Sequence, residues 1–529
     1  MAIARVLFWI ISILAFLLLG VLVAFVDHKY FYHLCYLVPL FFIGLYDMWQ
    51  KKKTILRLYP IVGHLRIILL SIRPQIQQYF IETDQNGMPF SREEREMVYE
   101  RAKQTLDTLP FGTERDVHAF GFDSINHSIM PVVTSHEEAR LIVGGPQCSK
   151  KYDASRLNIS AMSFGAISKN AILALNRGAK MGNFAHNTGE GGLSPYHLAE
   201  GGDIIWQIAS GYFGCRDKKG HFDPVLFQEK AQLDNVKMIE IKLSQGAKPG
   251  HGGILPAVKV SPEIAAVRGV EIGQDCVSPA RHSAFSTPIE LLSFIVKLRE
   301  LSGGKPVGFK LCVGHRKNFY GICKAMLETG IYPDFITVDG AEGGTGAAPV
   351  EFVDFVGVPL NEGLVFVRNA LVGTGLKEHI RIIASGKIIS GFDLVCKMAM
   401  GADMCNSARG MMFALGCLQS RRCNKNTCPT GVATQEPVRV AALDVNDKAP
   451  RVLHFHDATI NSFLELLGAA GIKKVSELTP NYVYRRVGIG VVKHYDEIFP
   501  FFEKDQLLKG ENLPPDIATA WHEARSDQF

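Results

Sequence analysis

Apolar residues are spread unevenly along this chain, and the densest run comes first. Leu7 to Val26 is twenty residues without a charge, which at 1.5 Å per residue crosses about 30 Å of hydrocarbon. A second apolar run, Phe31 to Tyr46, follows the polar break Asp27-His28-Lys29-Tyr30 and contains Pro39. Together they predict a transmembrane helical hairpin over residues 1–50. A cleaved signal peptide and a buried soluble helix are the alternatives; the length of the first run and the lack of a small-residue cleavage site disfavour the former. Lys51-Lys52-Lys53, with Arg57 and Arg66 behind them, place the following chain on the cytoplasmic side. The expectation is a multi-pass protein of the cell inner membrane with its catalytic body in the cytoplasm.

Residues 51–150 read as a polar, mostly helical connector, with one helix opening at Ser91-Arg92-Glu93-Glu94. From about Arg156 the pattern changes to short apolar runs alternating with helical stretches. Strands are predicted at Leu157–Ala161, Asn183–His186, Met238–Leu243, Val307–Cys312, Phe335–Asp339, Ile382–Ala384 and Met404–Ser407. Helices are predicted at Lys169–Lys180, Pro288–Leu301, Phe319–Glu328, Leu364–Leu376 and Phe392–Met400. Seven or eight such units over about 270 residues favour a closed (β/α)8 TIM barrel over an open sheet. The barrel is assigned to residues 151–440, and residues 441–529, with a helix at Ala458–Gly468, to a C-terminal helical cap.

Composition narrows the function classes. With 47% apolar and 21% charged residues and a net charge of +5, the chain is neither disordered nor a nucleic-acid-binding tail. Eleven cysteines in 529 residues are too sparse for a disulfide scaffold and fit a reducing compartment.

Chemistry in a TIM barrel sits where the strands end. Cys417, Cys423 and Cys428 lie in one loop spaced C-x5-C-x4-C and followed by Pro429. Thiolates packed this closely suit a soft metal centre. Zinc prefers four ligands and tighter pairs, so a three-iron cluster is the better fit; zinc and packed structural thiols stay open on spacing alone. Glycine turns follow three strands: Gly343-Gly344-Thr345-Gly346, Gly386-Lys387 and Arg409-Gly410. Glycine admits backbone N–H groups to an anion, and Lys387 and Arg409 add charge, as a phosphate-bearing cofactor requires. No strand-borne G-x-G-x-x-G is present, so no built-in nicotinamide domain is expected. Lys242 ends an apolar strand, Lys248 sits in a loop read as exposed, and Arg268 lies beyond. Three cations converging on one pocket suit a dicarboxylate, while the plainer reading pairs Lys242 with Glu240 or Glu190. Lys310 ends another strand, where a cation could neutralise a reduced flavin.

Read together, these motifs resemble the FMN-binding synthase domain of glutamate synthase. The match runs through Ser160–Ala166, Asn187–Gly192, Gln245–Gly250, Gly343–Ala347 and Cys428–Gln435, over roughly residues 150–440, and is narrowest with a compact, membrane-tethered branch. The resemblance implies FMN and a [3Fe-4S] cluster held by Cys417, Cys423 and Cys428. It implies electron flow from cluster to flavin, then hydride transfer to 2-iminoglutarate formed from 2-oxoglutarate and ammonia. Lys242, Lys248 and Arg268 would hold the substrate carboxylates, with Glu190 and Lys248 at the reacting centre. Met162, Ser163, Phe164, Gly165 and Lys310 would contact FMN; Gly344, Thr345, Gly386, Lys387, Arg409 and Gly410 would lie by its phosphate. Implied partners are ammonia or a separate amidotransferase, an external donor (reductase, ferredoxin or quinol), and the membrane, with no nucleic acid.

The departures are informative. A membrane hairpin stands where the large enzyme has a glutamine-hydrolysing domain, and the resemblance does not extend to a C-terminal β-helix domain. Gly252-Gly253-Ile254-Leu255-Pro256 replaces the usual Gly-Gly-Gln-Leu-Pro, and Ser278-Pro279-Ala280-Arg281-His282 replaces a segment of prolines and paired histidines. A different 2-oxo acid or amine substrate is therefore an alternative. A non-catalytic electron relay or assembly protein is another, against which Glu190, Lys242, Lys248 and Arg268 argue, since a relay needs none of them.

Overall fold

Eight short and almost wholly buried runs close into a parallel barrel in the computed structural model, which describes residues 3–105 and 108–529. The strands are β1 (Leu157–Ile159), β2 (His186–Asn187), β3 (Ile204–Ile208), β4 (Val236–Lys242), β5 (Val307–Leu311), β6 (Phe335–Asp339), β7 (Arg381–Ser385) and β8 (Met404–Ser407). They read as continuous apolar runs because one face looks into the barrel and the other lies under helices. β8 closes onto β1, with Cys405 opposite Leu157 and Ser407 opposite Ile159. β3 is absent from the strands that the hydrophobic pattern predicts. β2 is shorter than its predicted span because Asn183 takes a left-handed φ of 53° to end the preceding helix.

The outer helices are α1 (Lys169–Gly182), α2 (Pro195–Leu198), α3 (Pro224–Ala231), α4 (Pro288–Leu301), α5 (Arg316–Thr329), α6 (Leu360–Gly373), α7 (Gly391–Ala399) and α8 (Val445–Ala469). Ser168, Asp223, Thr287 and Ser390 cap their helices by accepting from first-turn N–H groups, so each loop hands over to a helix at a fixed residue. α8 packs against both α7 and α1 and completes the ring, which carries the barrel past residue 440.

An antiparallel hairpin, Arg140–Val143 with Tyr152–Ser155, packs under the barrel. Its Val143, Tyr152 and Ala154 pack on Ala185, Ile205, Met238, Phe335, Ile383 and Met404, residues at or near the strand beginnings. That end is plugged, and the opposite, C-terminal end carries the loops with chemistry. The region expected as a helical cap is mixed: Val483–Gly488 and Val491–His494 form a second hairpin that pairs with Asp123–Ile125. The connector is helical at Thr54–Leu58, Val62–Ile76 and Arg92–Lys103, and mostly irregular from residue 108 on.

Two compact units divide the chain, Met1–Arg92 and Glu93–Phe529. In the first, Ile3–Phe25 and His28–Trp49 are each long and apolar enough to cross a membrane. Buried Asp47 accepts from the Ile61 N–H and faces His64 Nε2, both at 2.9 Å, which ties the second of these helices to the one at Val62–Ile76.

Candidate active site

Side chains alternate along β4, so Glu240 and Lys242 both look inward at successive levels. Glu240 forms the lower level, accepting from Asn187 Nδ2 at 2.8 Å, Gln207 Nε2 at 2.7 Å and Thr337 Oγ1 at 2.7 Å. Three donors from three other strands satisfy this buried carboxylate. One level up, Lys242 Nζ donates to Glu190 Oε2 at 2.8 Å and to Gln245 Oε1 at 2.5 Å. The pairing of Lys242 is thus with Glu190, on the loop after β2. On the adjacent strand, Lys310 lies opposite Lys242 in register and meets Asp339 Oδ2 at 3.2 Å. The same Asp339 oxygen accepts from the Gly246 N–H at 2.7 Å.

Lys248 departs from its sequence reading. It is loop-borne but only 1% exposed, because the loop after β6 folds over it and the Ala347 carbonyl accepts from Nζ at 3.1 Å. Burial pushes this ammonium down to about 8, against the pull of Glu190. Burial likewise pushes Glu190 up, yet Lys242, followed by Lys248 and Arg268, holds it at about 2. Burial opposes the charge on Lys310, but Asp339 and Glu240 raise it above its ordinary range. Arg268 Nη2 donates to the Phe164 carbonyl at 3.1 Å and reaches Ser163 Oγ at 3.4 Å, and the guanidinium lies over the Phe213 ring. It thereby grips the Met162–Gly165 loop at the end of β1. Gly189 and Gly191 make that approach possible: a Cβ on either would stand 2.8 Å from Ser163 atoms.

The loops after β6, β7 and β8 converge separately. Arg409 Nη2 donates to the Glu342 carbonyl at 2.8 Å, and a Cβ on Gly344 would lie 3.0 Å from Arg409 Cδ. Gly386 stands close to Glu342 and Gly340, Gly410 close to Ser407, and Lys387 takes a φ of 50°. Gly410, with no room for a Cβ, and Gly344 and Gly386, where one would be tight, beside a lysine and an arginine at the seventh and eighth strand ends, fit the phosphate of a cofactor such as FMN. Thr345 joins this end to the lysines: its hydroxyl lies 3.5 Å from the Ala347 carbonyl that holds Lys248.

Cys417, Cys423 and Cys428 follow β8 and feel one another. Burial, then Cys423 and Cys428, push Cys417 up to about 12, whereas N–H groups of the 430–433 turn help bring Cys428 below its ordinary range against burial. The donor chemistry suits a soft metal. Even so, among the described residues no three His, Cys, Asp or Glu side chains are gathered as a metal-holding group. Gln435 ties this region to the β1 loop, its Nε2 donating to the Gly165 and Ile167 carbonyls at 3.1 and 3.0 Å, and Lys259, which feels Cys423 and Cys428, donates from Nζ to the Ala166 carbonyl at 2.8 Å.

The sequence motifs assign no site role to Asp339, Gln245, His282 or Lys259, and Glu240 enters only as a candidate partner for Lys242. Asp339 and Glu240 carried a signal, as carboxylates on otherwise apolar strands, where a charge demands a partner.

An eight-stranded barrel whose C-terminal face gathers four cations and two carboxylates beside a glycine-lined anion cradle is a TIM-barrel protein built to hold anionic ligands. The conserved region in glutamate synthase matches residues 97–473, and the chain belongs to the glutamate synthase family. It is 36% identical to the glutamate synthase large subunit-like protein YerD of Bacillus subtilis (strain 168), over 86% of this chain and 94% of that one. It is 37% identical to the archaeal glutamate synthase [NADPH] of Methanocaldococcus jannaschii over 61% of this chain, and spans 60% of that enzyme's length. Among solved structures, a mandelate oxidase with benzoyl-formic acid aligns at 15% identity and a TM-score of 0.40, over 76% of this chain and 90% of that one.

Proposed function

We propose that this chain is a flavin-dependent oxidoreductase that reduces the imine formed from 2-oxoglutarate and ammonia, giving glutamate. The observation that carries the reading is the cluster of Lys242, Lys248, Arg268 and Glu190 against the Met162–Gly165 loop. FMN, when bound, supplies the hydride. Its phosphate would be held by Gly344, Thr345, Gly386, Lys387, Arg409 and Gly410, and its ring by Met162–Gly165 and Lys310.

The chain's own residues do the rest. Lys242 and Lys248 pair with the carboxylates of the oxo acid and fix its reacting carbon. Glu190 is a carboxylate throughout the physiological range, so it donates no proton; its charge stabilises the cationic iminium and orients Lys242. Lys248, near 8, is the group able to give up and regain a proton at Nζ near neutral pH.

An iron–sulfur centre on Cys417, Cys423 and Cys428 is part of the proposal, supported by their spacing and common environment. So is a membrane-spanning hairpin that keeps the barrel at the cytoplasmic face of the inner membrane, with electrons drawn from a reductase, ferredoxin or quinol. Ammonia would enter free or from a partner amidotransferase. One observation favours a second reading with another 2-oxo acid: Ile254, paired with Val277 beside the glycine that abuts Glu190, offers no side-chain hydrogen bond to a distal carboxylate.

The test is anaerobic. Full-length protein, purified in detergent and photoreduced, should be yellow when oxidised, carry about three irons per chain, and be reoxidised by 2-oxoglutarate plus ammonium with glutamate as product. Reoxidation only by a different 2-oxo acid favours the second reading, and colourless, iron-free protein refutes both.

A further inference from the structure

We propose that His282 is a positioning residue that sets the aim of Lys242, with Tyr212 fixing its tautomer. This rests on the reading of the cup as an oxo-acid site. β3 pairs with β4 only as far as Ile208 and Ile241, so the next carbonyl of β4, that of Lys242, has run out of ladder. His282 Nε2 lies 2.9 Å from that carbonyl oxygen. A carbonyl only accepts, so Nε2 carries the proton. Nδ1 is then a lone pair, 3.0 Å from the Tyr212 hydroxyl. That hydroxyl oxygen already accepts from the Ala284 N–H at 3.1 Å, which leaves its own proton for Nδ1. Every donor in the relay has one acceptor.

The imidazole is 6% exposed and stacks on Phe285 at 4.7 Å between centroids. Burial pushes it down to about 4, and the nearby Lys242 ammonium also disfavours its protonation, so the relay keeps one polarity near neutral pH. It binds three segments: the turn after β3, the end of β4 and the loop entering α4. Lys242 Nζ can bridge Glu190 and Gln245 only if the backbone that carries it is fixed; β5 holds one side of it, with Lys310 opposite Lys242, and His282 holds the side that β3 no longer pairs.

The experiment uses the full-length protein with His282→Phe, His282→Gln and Tyr212→Phe, alone and with Lys242→Met. Phe keeps the stack but loses the donor; Gln keeps a donor at the Nε2 position. Amide exchange by mass spectrometry, which needs no ligand, should be faster across residues 240–246 in His282→Phe and close to normal in His282→Gln. In turnover, His282→Phe should lose about 10- to 100-fold in kcat/KM, His282→Gln should recover most of it, and Tyr212→Phe should fall between. In the Lys242→Met background, His282→Phe should cost nothing more. Unchanged exchange in His282→Phe, or equal losses in both backgrounds, overturns the proposal. Should the unaltered protein respond to no 2-oxo acid, the reading of the cup fails instead, and the exchange arm still decides the role of His282.

Discussion

Lys248, buried, and Glu190, partly buried beside it, are unlike groups pushed in the same direction, both toward lower values, by different causes. For Lys248 the cause is desolvation, and the sign has a functional consequence. Below about 8 it is an ammonium that holds an anion; above, it is a neutral amine. Affinity for 2-oxoglutarate, followed by flavin absorbance, should therefore fall as pH rises through about 8, and Lys248→Arg should flatten that limb because guanidinium stays charged. A flat profile in the unaltered protein across that range would remove Lys248 from the site. For Glu190 the cause is its three cations. Its value near 2, against an ordinary 4.5, means it contributes stability at neutral pH that is lost as pH falls from about 4.5 toward 2. In Lys242→Met the main counter-charge is gone, the carboxyl rises, and acid unfolding should begin at higher pH in a urea series. Little of this was legible in the sequence. Lys248 among glycines reads as exposed, and only the fold-over of Ala347 buries it; Lys310 reads as a flavin neighbour, while Asp339, its partner, sits on another strand and is invisible to local spacing.

Elements explain what residues cannot. Seven of the eight barrel strands follow from apolar runs separated by helical periodicity, which is why the barrel is readable at all. β3 escapes although Ile204–Ile208 is as long and as buried as β5 and β6: so short a run has no period of its own, and the helix that would mark it as a unit begins only at Pro224. The loops after β4 and β6 meet so closely that a Cβ on Gly246 would collide with the Gly340 carbonyl. Backbone cannot yield as a side chain can, so Gly246→Ala should cost about 3 kcal/mol, seen as a lowered denaturation midpoint. Gly253→Ala should behave differently. The three atoms nearest its Cβ all belong to the Glu190 carboxyl, the far end of a side chain, so melting should fall less than in Gly246→Ala while affinity for the oxo acid drops several-fold. Equal melting of both variants would show that these glycines serve the turns rather than the cup.

On the scale of the molecule, the glutamate synthase region covers the barrel and its completing helix, while the two apolar helices precede it in the separate Met1–Arg92 unit. Membrane attachment is expected to resist alkaline carbonate washing of isolated membranes and to yield only to detergent; release by carbonate would mark the helices as peripheral. The sequence conveyed the order of parts well and their boundaries less well. α8 belongs to the barrel because it packs against α7 and α1, a relation between segments far apart in the chain that periodicity does not encode. The hairpin at Val483–His494 pairs with Asp123–Ile125, again across most of the chain.

The seam between β8 and β1 bears on synthesis. Leu157–Ile159 leaves the ribosome long before Met404–Ser407 exists to lie beside it, and contacts so distant in sequence form late. Until then one flank of the nascent sheet offers its hydrogen-bonding groups to any passing strand. The small hairpin that ends at Ser155 is made just before β1, but its strands pair only with each other and it packs under the barrel, so that flank waits uncovered until β8 arrives.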